Sequence, residues 1–477
     1  MGSIVCFGEI LIDLLAQPPA SADTPRAFLQ YAGGAPANVA VAAARLGAKT
    51  QFVGMLGRDM FGDFLADSLV EHGVGTDYIV RTDAAKTALA FVALDATGER
   101  SFSFYRPPAA DLLFRDRDFQ AACFDSAQCF HVCSNSLTEP SIAEATFAGM
   151  ERARAAGAVV SLDLNLRPAL WPASEDPTPR LWQALERADL VKLSREELDY
   201  LASPLGDDGE RLVLRRLLAA QARWVIVTDG AATLRWYTRD DHGTVTSFRV
   251  ATVDTTAAGD AFVGGVLVGL LERGGAGAGF AAFCQDPQAI TATLRFGAAV
   301  GALAVTRKGA FAAMPSLDEV QQREQAANAT LGERLQQVWR DNDGVGKACL
   351  IVAEMGNLRD LRLRYGPLQD NGLWRRDSSD DVRRLLPPLP AERVEIYQFG
   401  DAALAILIHG LSLPELRVQP QIAELASNLA DRVAQDWPGF RPLFRCAVVE
   451  LKPPGDADDG HLPFRAITLA LSAIESG

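Results

Sequence analysis

The sequence has few of the features that would place it outside ordinary globular enzymes. Its seven cysteines, at 6, 123, 129, 133, 284, 349 and 446, fall in an odd number with no C-x-x-C pair. That excludes a disulfide framework and suits a reducing cytoplasm. Positive charge is scarce: 46 Lys and Arg stand against 60 Asp and Glu, for a net charge of −14. A general binder of nucleic acid or of anionic membranes is thereby excluded, because both need clustered basic residues. Long apolar runs are missing too. The most apolar late stretch, Ala402 to Leu413, is too short for a helical membrane span. The first residues carry no basic region, and Glu9 and Asp13 interrupt their apolar run, so a secretory signal is not expected. Cys6 stands where a myristoylation motif needs Ser or Thr.

Two nucleotide-binding signatures are also missing. Gly346-Lys347 lacks the glycine spacing and the following Ser/Thr of a P-loop. No strand leads into Gly274–Gly279, which reads as a flexible connector and not as a dinucleotide fingerprint. Cys129-x-His131-x-Cys133 has the alternation of a buried strand and is read as that rather than as a metal cluster.

What is present is alternation. At 477 residues with 48% hydrophobic and 22% charged side chains, two domains are expected. Apolar runs at Ile4–Phe7, Thr50–Met55, Cys129–Cys133, Val159–Asp163, Leu190–Leu193 and Trp224–Thr228 read as strands. Amphipathic stretches at Asn38–Leu46, Phe61–His72, Ser141–Ala156 and Arg180–Arg187 read as helices between them. This order predicts an α/β fold with a mainly parallel sheet covered on both faces, and ligands at the carboxyl ends of its strands. Leu14–Leu29 and Thr87–Arg106 read instead as β-ribbons, the second a hairpin turning at Asp95–Gly98. Residues 317–340 read as a polar helical linker. Residues 341–477 read as an α+β domain with strands at Ala348–Ala353, Val394–Phe399, Ala402–His409, Phe444–Leu451 and Ala466–Leu471, and a helix at Gln421–Gln435. Its His409, His461 and Cys446 have no ligand spacing, and a regulatory or oligomerisation role is expected of it.

The chemistry concentrates in Asp254-Thr-Thr-Ala-Ala-Gly-Asp-Ala-Phe262. Small residues opening a helix let backbone N–H groups approach an anion, aided by the helix dipole. Asp260 sets a carboxylate beside that anion site. Such a pairing serves proton removal from a hydroxyl next to a phosphoryl group; the plainer reading is a helix cap.

This segment resembles the Asp-Thr-Thr-Gly-Ala-Gly-Asp signature of ribokinase-like (PfkB-type) sugar kinases. Gly33-Gly-Ala-Pro-Ala-Asn38-Val-Ala40 resembles the Gly-Gly-x-x-x-Asn-x-Ala element of the same family, about 220 residues earlier. The resemblance covers residues 3–316 and implies a three-layer α/β/α kinase domain over 1–316, with the ribbons at about 14–29 and 87–106 forming a small β lid. A lid excludes water, whose competing reaction is ATP hydrolysis.

By the same resemblance Asp260 is the general base, and the backbone of Ala257, Ala258, Gly259 and Asp260 forms an anion hole for the transferred phosphoryl group. Ala257 stands where glycine is usual and sits without strain only at negative φ. Asp13, Gly33, Gly34 and Asn38 are implied on the sugar. Tyr105-Arg106-Pro-Pro-Ala-Ala-Asp111 looks like the corresponding stretch of fructokinases and puts Arg106 on the sugar or phosphate. Asn165 and Arg167 of Asp163-Leu-Asn-Leu-Arg-Pro168 are implied to face substrate. Lys192-Leu-Ser-Arg-Glu-Glu197 resembles the Asn-x-x-Glu motif, with Glu197 holding Mg²⁺ through water and Ser194 in the place of Asn. Lys192, Thr228, Gly230, Gly259 and Gly309 are implied on ATP. Asp254 and Thr256 are implied at a K⁺ site. The resemblance therefore implies an ATP- and Mg²⁺-dependent sugar kinase, a fructokinase first, and a homodimer. A kinase of ribose, a keto-deoxy sugar or adenosine, or a sugar-sensing module without catalysis, are the alternatives.

Overall fold

The computed structural model describes residues 3–17, 27–94, 100–248, 250, 252–321, 348–355, 393–399, 403–409, 425–436 and 441–450. The turn expected at Asp95–Gly98, most of the 317–340 linker and the strand expected at Ala466–Leu471 lie outside these residues. The chain divides into two compact units, Met1–Arg323 and Glu324–Gly477.

The strands of the first unit are β1 (Ser3–Phe7), β2 (Leu11–Gln17), β3 (Ala27–Gly33), β4 (Thr50–Gly57), β5 (Gly75–Thr82), β6 (Leu89–Leu94), β7 (Arg100–Tyr105), β8 (Ala127–Cys133), β9 (Val159–Asp163), β10 (Leu190–Ser194), β11 (Trp224–Thr228), β12 (Leu234–Thr238) and β13 (His242–Val245). Its helices are α1 (Ala35–Arg45), α2 (Met60–Glu71), α3 (Ala122–Asp125), α4 (Pro140–Ala155), α5 (Thr178–Leu185), α6 (Arg195–Ala202), α7 (Gly209–Ala219), α8 (Ala258–Glu272), α9 (Phe280–Phe283) and α10 (Pro287–Ala304).

The main sheet has nine strands in the order β13-β12-β11-β10-β9-β8-β1-β4-β5. Neighbours pair in parallel except at β11–β12 and β12–β13, so β12 alone runs against the others. Continuous apolar runs suit strands covered on both faces, and β1, β8 and β9 are buried along nearly their whole length. One hydrophobic cluster joins the sheet to α1, α2, α8 and α10. A second lies on the opposite face with α4, α5, α6 and α7. The result is the three-layer α/β/α architecture expected from the alternation. His131 of β8 is fully buried and hydrogen-bonds Ser161 Oγ through Nδ1 at 3.1 Å. Burial lowers its pKa to about 4, as a core histidine of a strand requires.

Helix α8 is apolar all round and mostly buried. Glycines bring its neighbours close: a Cβ on Gly264 would lie 2.6 Å from Ala42 Cβ of α1, and one on Gly265 would lie 2.9 Å from Gly297 Cα of α10. This packing seats the middle of α8 against α1 and α10. Strand order reverses beside β1, between β4 and β8, which opens the crevice where ligands bind in doubly wound sheets.

A second sheet, in the order β3-β2-β6-β7, forms the lid expected from the ribbons. It begins earlier than expected, at Leu11, so Asp13 lies within β2. Phe91 bridges Phe28 and Tyr105 by edge contacts at 5.5 and 5.1 Å between ring centroids.

In the second unit, β14 (Ala348–Met355), β15 (Arg393–Phe399), β16 (Ala403–His409) and β17 (Phe444–Glu450) form an antiparallel sheet in the order β15-β16-β14-β17. Helix α11 (Leu425–Asp436) packs on β17 and buries Leu425 and Leu429.

Candidate active site

The first turn of α8 carries Asp260, which is only 6% exposed. Both carboxylate oxygens are held. Asn38 Nδ2 of α1 donates to Oδ2 at 2.8 Å, and Asn165 Nδ2, just after β9, donates to Oδ1 at 2.9 Å. Asn165 adopts φ of 40°, a left-handed conformation that asparagine tolerates better than most residues. Burial pushes the Asp260 carboxyl up to about 7; Asp163 adds to the rise, whereas the Asn38 bond, Arg167 and Lys192 oppose it. A carboxylate in that range is matched to proton removal near neutral pH.

N–H groups in a first helical turn have no intrahelical acceptor. Gly259 and Asp260 occupy that turn. Ala258 N–H instead donates to Thr255 O at 3.3 Å, so it contributes less to an anion hole than its position suggests. Ala257 caps the helix at φ 58°, ψ 14°. This is the unfavourable case for alanine, which costs about 1 kcal/mol relative to glycine. A Cβ on Gly259 would meet Lys192 Nζ at 3.5 Å and nothing else. The ammonium and the first-turn backbone therefore line one cradle.

Lys192 is 8% exposed and ion-paired to Asp163, with Nζ 3.0 Å from Oδ1 and 3.3 Å from Oδ2. Burial alone would lower its pKa; Asp163, Glu197 and Asp260 outweigh that and hold it above the usual value. Glu197 is 9% exposed, not a solvated helix acid. Its Oε1 accepts from Leu166 N–H at 2.8 Å and its Oε2 from Ser194 N–H at 2.7 Å, while Ser194 Oγ accepts from Glu197 N–H at 3.2 Å. This capping box starts α6.

Asp13 and the glycine pair occupy the lid side. A Cβ on Gly33 would lie 2.2 Å from Asp13 Oδ2, so the carboxylate takes the space a side chain would fill. Gly34 has φ of 108°, and a Cβ there would meet Glu9 O at 2.7 Å. Only glycine can make this entry into α1.

Arg106, expected on the sugar or phosphate, makes its hydrogen bonds inside the protein. It is buried, 2% exposed, and turned inward. Nε and Nη2 donate to Asp111 Oδ2 at 2.9 and 2.7 Å, and Nη2 also donates to Asn135 O at 2.7 Å. A guanidinium held in this way braces the β7 exit. Arg167, by contrast, is exposed and lies close enough to act electrostatically on Asp260.

On the nucleotide side, Thr228 ends β11 and its hydroxyl donates to Leu193 O at 3.4 Å. Gly230 follows at φ 53° with open space around it. Asp254 is buried; Oδ1 accepts from Thr256 N–H at 2.8 Å and Oδ2 from Gly309 N–H at 3.2 Å. One carboxylate thus ties the two loops that were expected to form the K⁺ site. Among the described residues no three His, Cys, Asp or Glu side chains are grouped to hold a metal ion.

Sequence reasoning passed over Glu9, Asp111 and Asn135 and gave Asp163 no role. Glu9, 1% exposed, accepts at Oε1 from Ala35 N–H at 3.1 Å and from Asn135 Nδ2 at 2.9 Å. An acid inside an otherwise apolar strand exit was its only signal.

Residues 1–317 match the family model described as pfkB family carbohydrate kinase. The chain is 41% identical to Fructokinase-1 of Zea mays over 67% of this chain and 96% of that protein. It is similar to the crystal structure of fructokinase with bound ATP from Xylella fastidiosa, at 61% identity and a TM-score of 0.65, over 68% of this chain and 99% of that one. It is also similar to the fructokinase of Vibrio cholerae in its fructose-, ADP- and calcium-bound form, at 30% identity and a TM-score of 0.59, over 68% and 98% of the two chains. With a buried carboxylate at a helix start, a glycine-paired acid and this match over residues 1–317, the chain belongs to the pfkB family of carbohydrate kinases.

Proposed function

We propose that the chain transfers the γ-phosphoryl group of ATP to the 6-hydroxyl of fructose. The observation that carries this reading is Asp260, buried in the first turn of α8, held by two amides and pushed up to about 7. Asp13, Gly33, Gly34 and Asn38 take the sugar beneath the lid. The 6-hydroxyl oxygen attacks the γ-phosphorus while the bond to the bridging β–γ oxygen breaks, ADP leaves, and the hydroxyl proton passes to Asp260. Lys192 and the N–H groups of Gly259 and Asp260 face the charge that develops on the phosphoryl oxygens.

The residues present suit the nucleotide and its metal. The missing Cβ of Gly259 leaves room beside Lys192 Nζ, and the space around Gly230 is open; Thr228 and Gly309 would line the adenosine side with it. Mg²⁺, when bound, neutralises phosphate charge; Glu197 would hold it through ordered water, since each of its oxygens keeps a lone pair beyond its backbone bond. Asp254, Thr256 and the loop at Gly309 would hold K⁺ among backbone carbonyls.

Support for fructose over other acceptors comes from the fructokinase relatives. The test is ADP release with Mg²⁺ and K⁺ across fructose, ribose, a keto-deoxy sugar and adenosine. Release strongest with fructose is expected. Release strongest with another acceptor would move the assignment to that sugar, and silence from folded protein would favour a sensing module, to which the strain at Ala257 would then belong.

A further inference from the structure

Helix α1 delivers Asn38 to Asp260, yet it begins without a cap of its own. Its N-cap is Gly34, its first turn contains no acidic residue, and no side chain in the segment accepts from its free N–H groups. The missing acceptor comes from the exit of β1. Glu9 Oε1 receives Ala35 N–H at 3.1 Å and, at the same oxygen, Asn135 Nδ2 at 2.9 Å. Asn135 in turn receives Arg106 Nη2 on its backbone carbonyl, and Arg106 is clamped by Asp111. Glu9, Asn135, Arg106 and Asp111 are 1, 6, 2 and 5% exposed. They form one buried polar chain running from the start of α1, past the end of β8, to the exit of β7.

We propose that Glu9 is a positioning residue for the phosphoryl acceptor site: its carboxylate fixes the start of α1, and through it Asn38, against the loop that follows β8. Glu9 is 1% exposed and acts through its hydrogen bonds to Ala35 and Asn135. Its effect reaches the chemistry through Asn38, whose N–H donates to Gly34 O at 2.8 Å and whose amide holds Asp260. A carboxylate is suited to the task because one oxygen accepts two donors from different elements, and because the start of a helix attracts negative charge. The guanidinium of Arg106 and the Asn135 bond partly offset the burial that raises the pKa of Glu9. This inference rests on the reading of the Asn38 side as the sugar pocket.

The test compares two folded variants, Glu9→Asp and Glu9→Gln. Aspartate keeps the charge but is one methylene shorter and draws the oxygen back from Ala35 N–H. Glutamine loses the charge but keeps an oxygen at the contact. If Glu9 positions the acceptor site, Glu9→Asp raises the KM for fructose about three- to tenfold, the worth of one lost hydrogen bond, with the KM for ATP unchanged and Glu9→Gln less affected. Amide hydrogen exchange over residues 33–40, read by mass spectrometry, should quicken in Glu9→Asp in the same order. The opposite order of the two variants, or wild-type KM for fructose and wild-type exchange in both, would overturn the proposal. Wild-type protein that turns over no sugar would instead overturn the functional reading, and the exchange measurement would still decide the role of Glu9.

Discussion

Gly33 and Asp13 share one space: on adjacent strands of the lid sheet, the carboxylate of Asp13 lies where a Cβ on Gly33 would be, 2.2 Å from its Oδ2. Gly33→Ala must therefore displace the carboxylate. We expect the KM for the sugar to rise at least about tenfold, the worth of a disrupted charge-assisted hydrogen bond, with the KM for ATP unchanged. Steady-state kinetics with each substrate varied would check this, and an equal rise in both constants would count against a sugar-side role for Asp13.

Asp260→Asn removes the proton acceptor and keeps the shape. General base catalysis is typically worth ~10²–10⁴-fold, so kcat should fall by at least about 10²-fold with a smaller change in sugar KM. Turnover near the wild-type rate would take Asp260 out of the role.

The pH profile follows from the same carboxylate. Asp260 must be ionised to accept a proton, and burial raises it to about 7, so kcat should decline as pH falls through about 7. The hydrogen bond from Asn38 favours the ionised form. In Asn38→Ala the acid limb should therefore move to higher pH, while Asp163, Arg167 and Lys192 continue to act as before. A limb that stays in place would separate Asn38 from the titration of Asp260. Stability carries the matching sign. A carboxyl whose folded pKa is raised loses stability as pH climbs from its unfolded value of 3.8 to about 7. Relative to wild type, Asp260→Asn should gain in Tm between pH 5 and pH 8.

Ala257 holds a left-handed conformation at φ 58°. Glycine at this position relieves the strain and should stabilise the protein by up to about 1 kcal/mol, raising Tm by roughly 2 °C without lowering kcat. A fall in Tm on Ala257→Gly would mean that the conformation is not strained.

Arg106 and Asp111 form a buried pair. Removing one partner strands the other, at a cost of about 3–5 kcal/mol. Arg106→Met should thus lose far more stability than the double variant with Asp111→Leu, while the sugar KM of whatever remains folded changes little. A large rise in sugar KM at unchanged Tm would restore the sugar-binding role that the sequence suggested.

Much of the main sheet was legible because its central strands are buried on both faces and read as unbroken apolar runs. Val159–Asp163 and Trp224–Thr228 coincide with β9 and β11. Strands β12 and β13 went unread: Leu-Arg-Trp-Tyr-Thr and His-Gly-Thr-Val lie at an antiparallel edge, where polar residues interrupt the run. Asp260 and Asn38 were legible from motif residues alone, although the bond between them was not, since their 222-residue separation closes only through the packing of α8 on α1. The links among Glu9, Asn135, Arg106 and Asp111 were not legible, because a charge in a sequence does not show its partners, and only those partners reveal that it is interior.

The strand that carries Asp13 is itself a strand of the lid. β2 pairs with β3 on one side and with β6 on the other, so the acid proposed to grip the sugar would travel with any opening of this sheet. Affinity and access would then be a single coordinate, and a variant that stiffens this sheet is expected to trade turnover for retention.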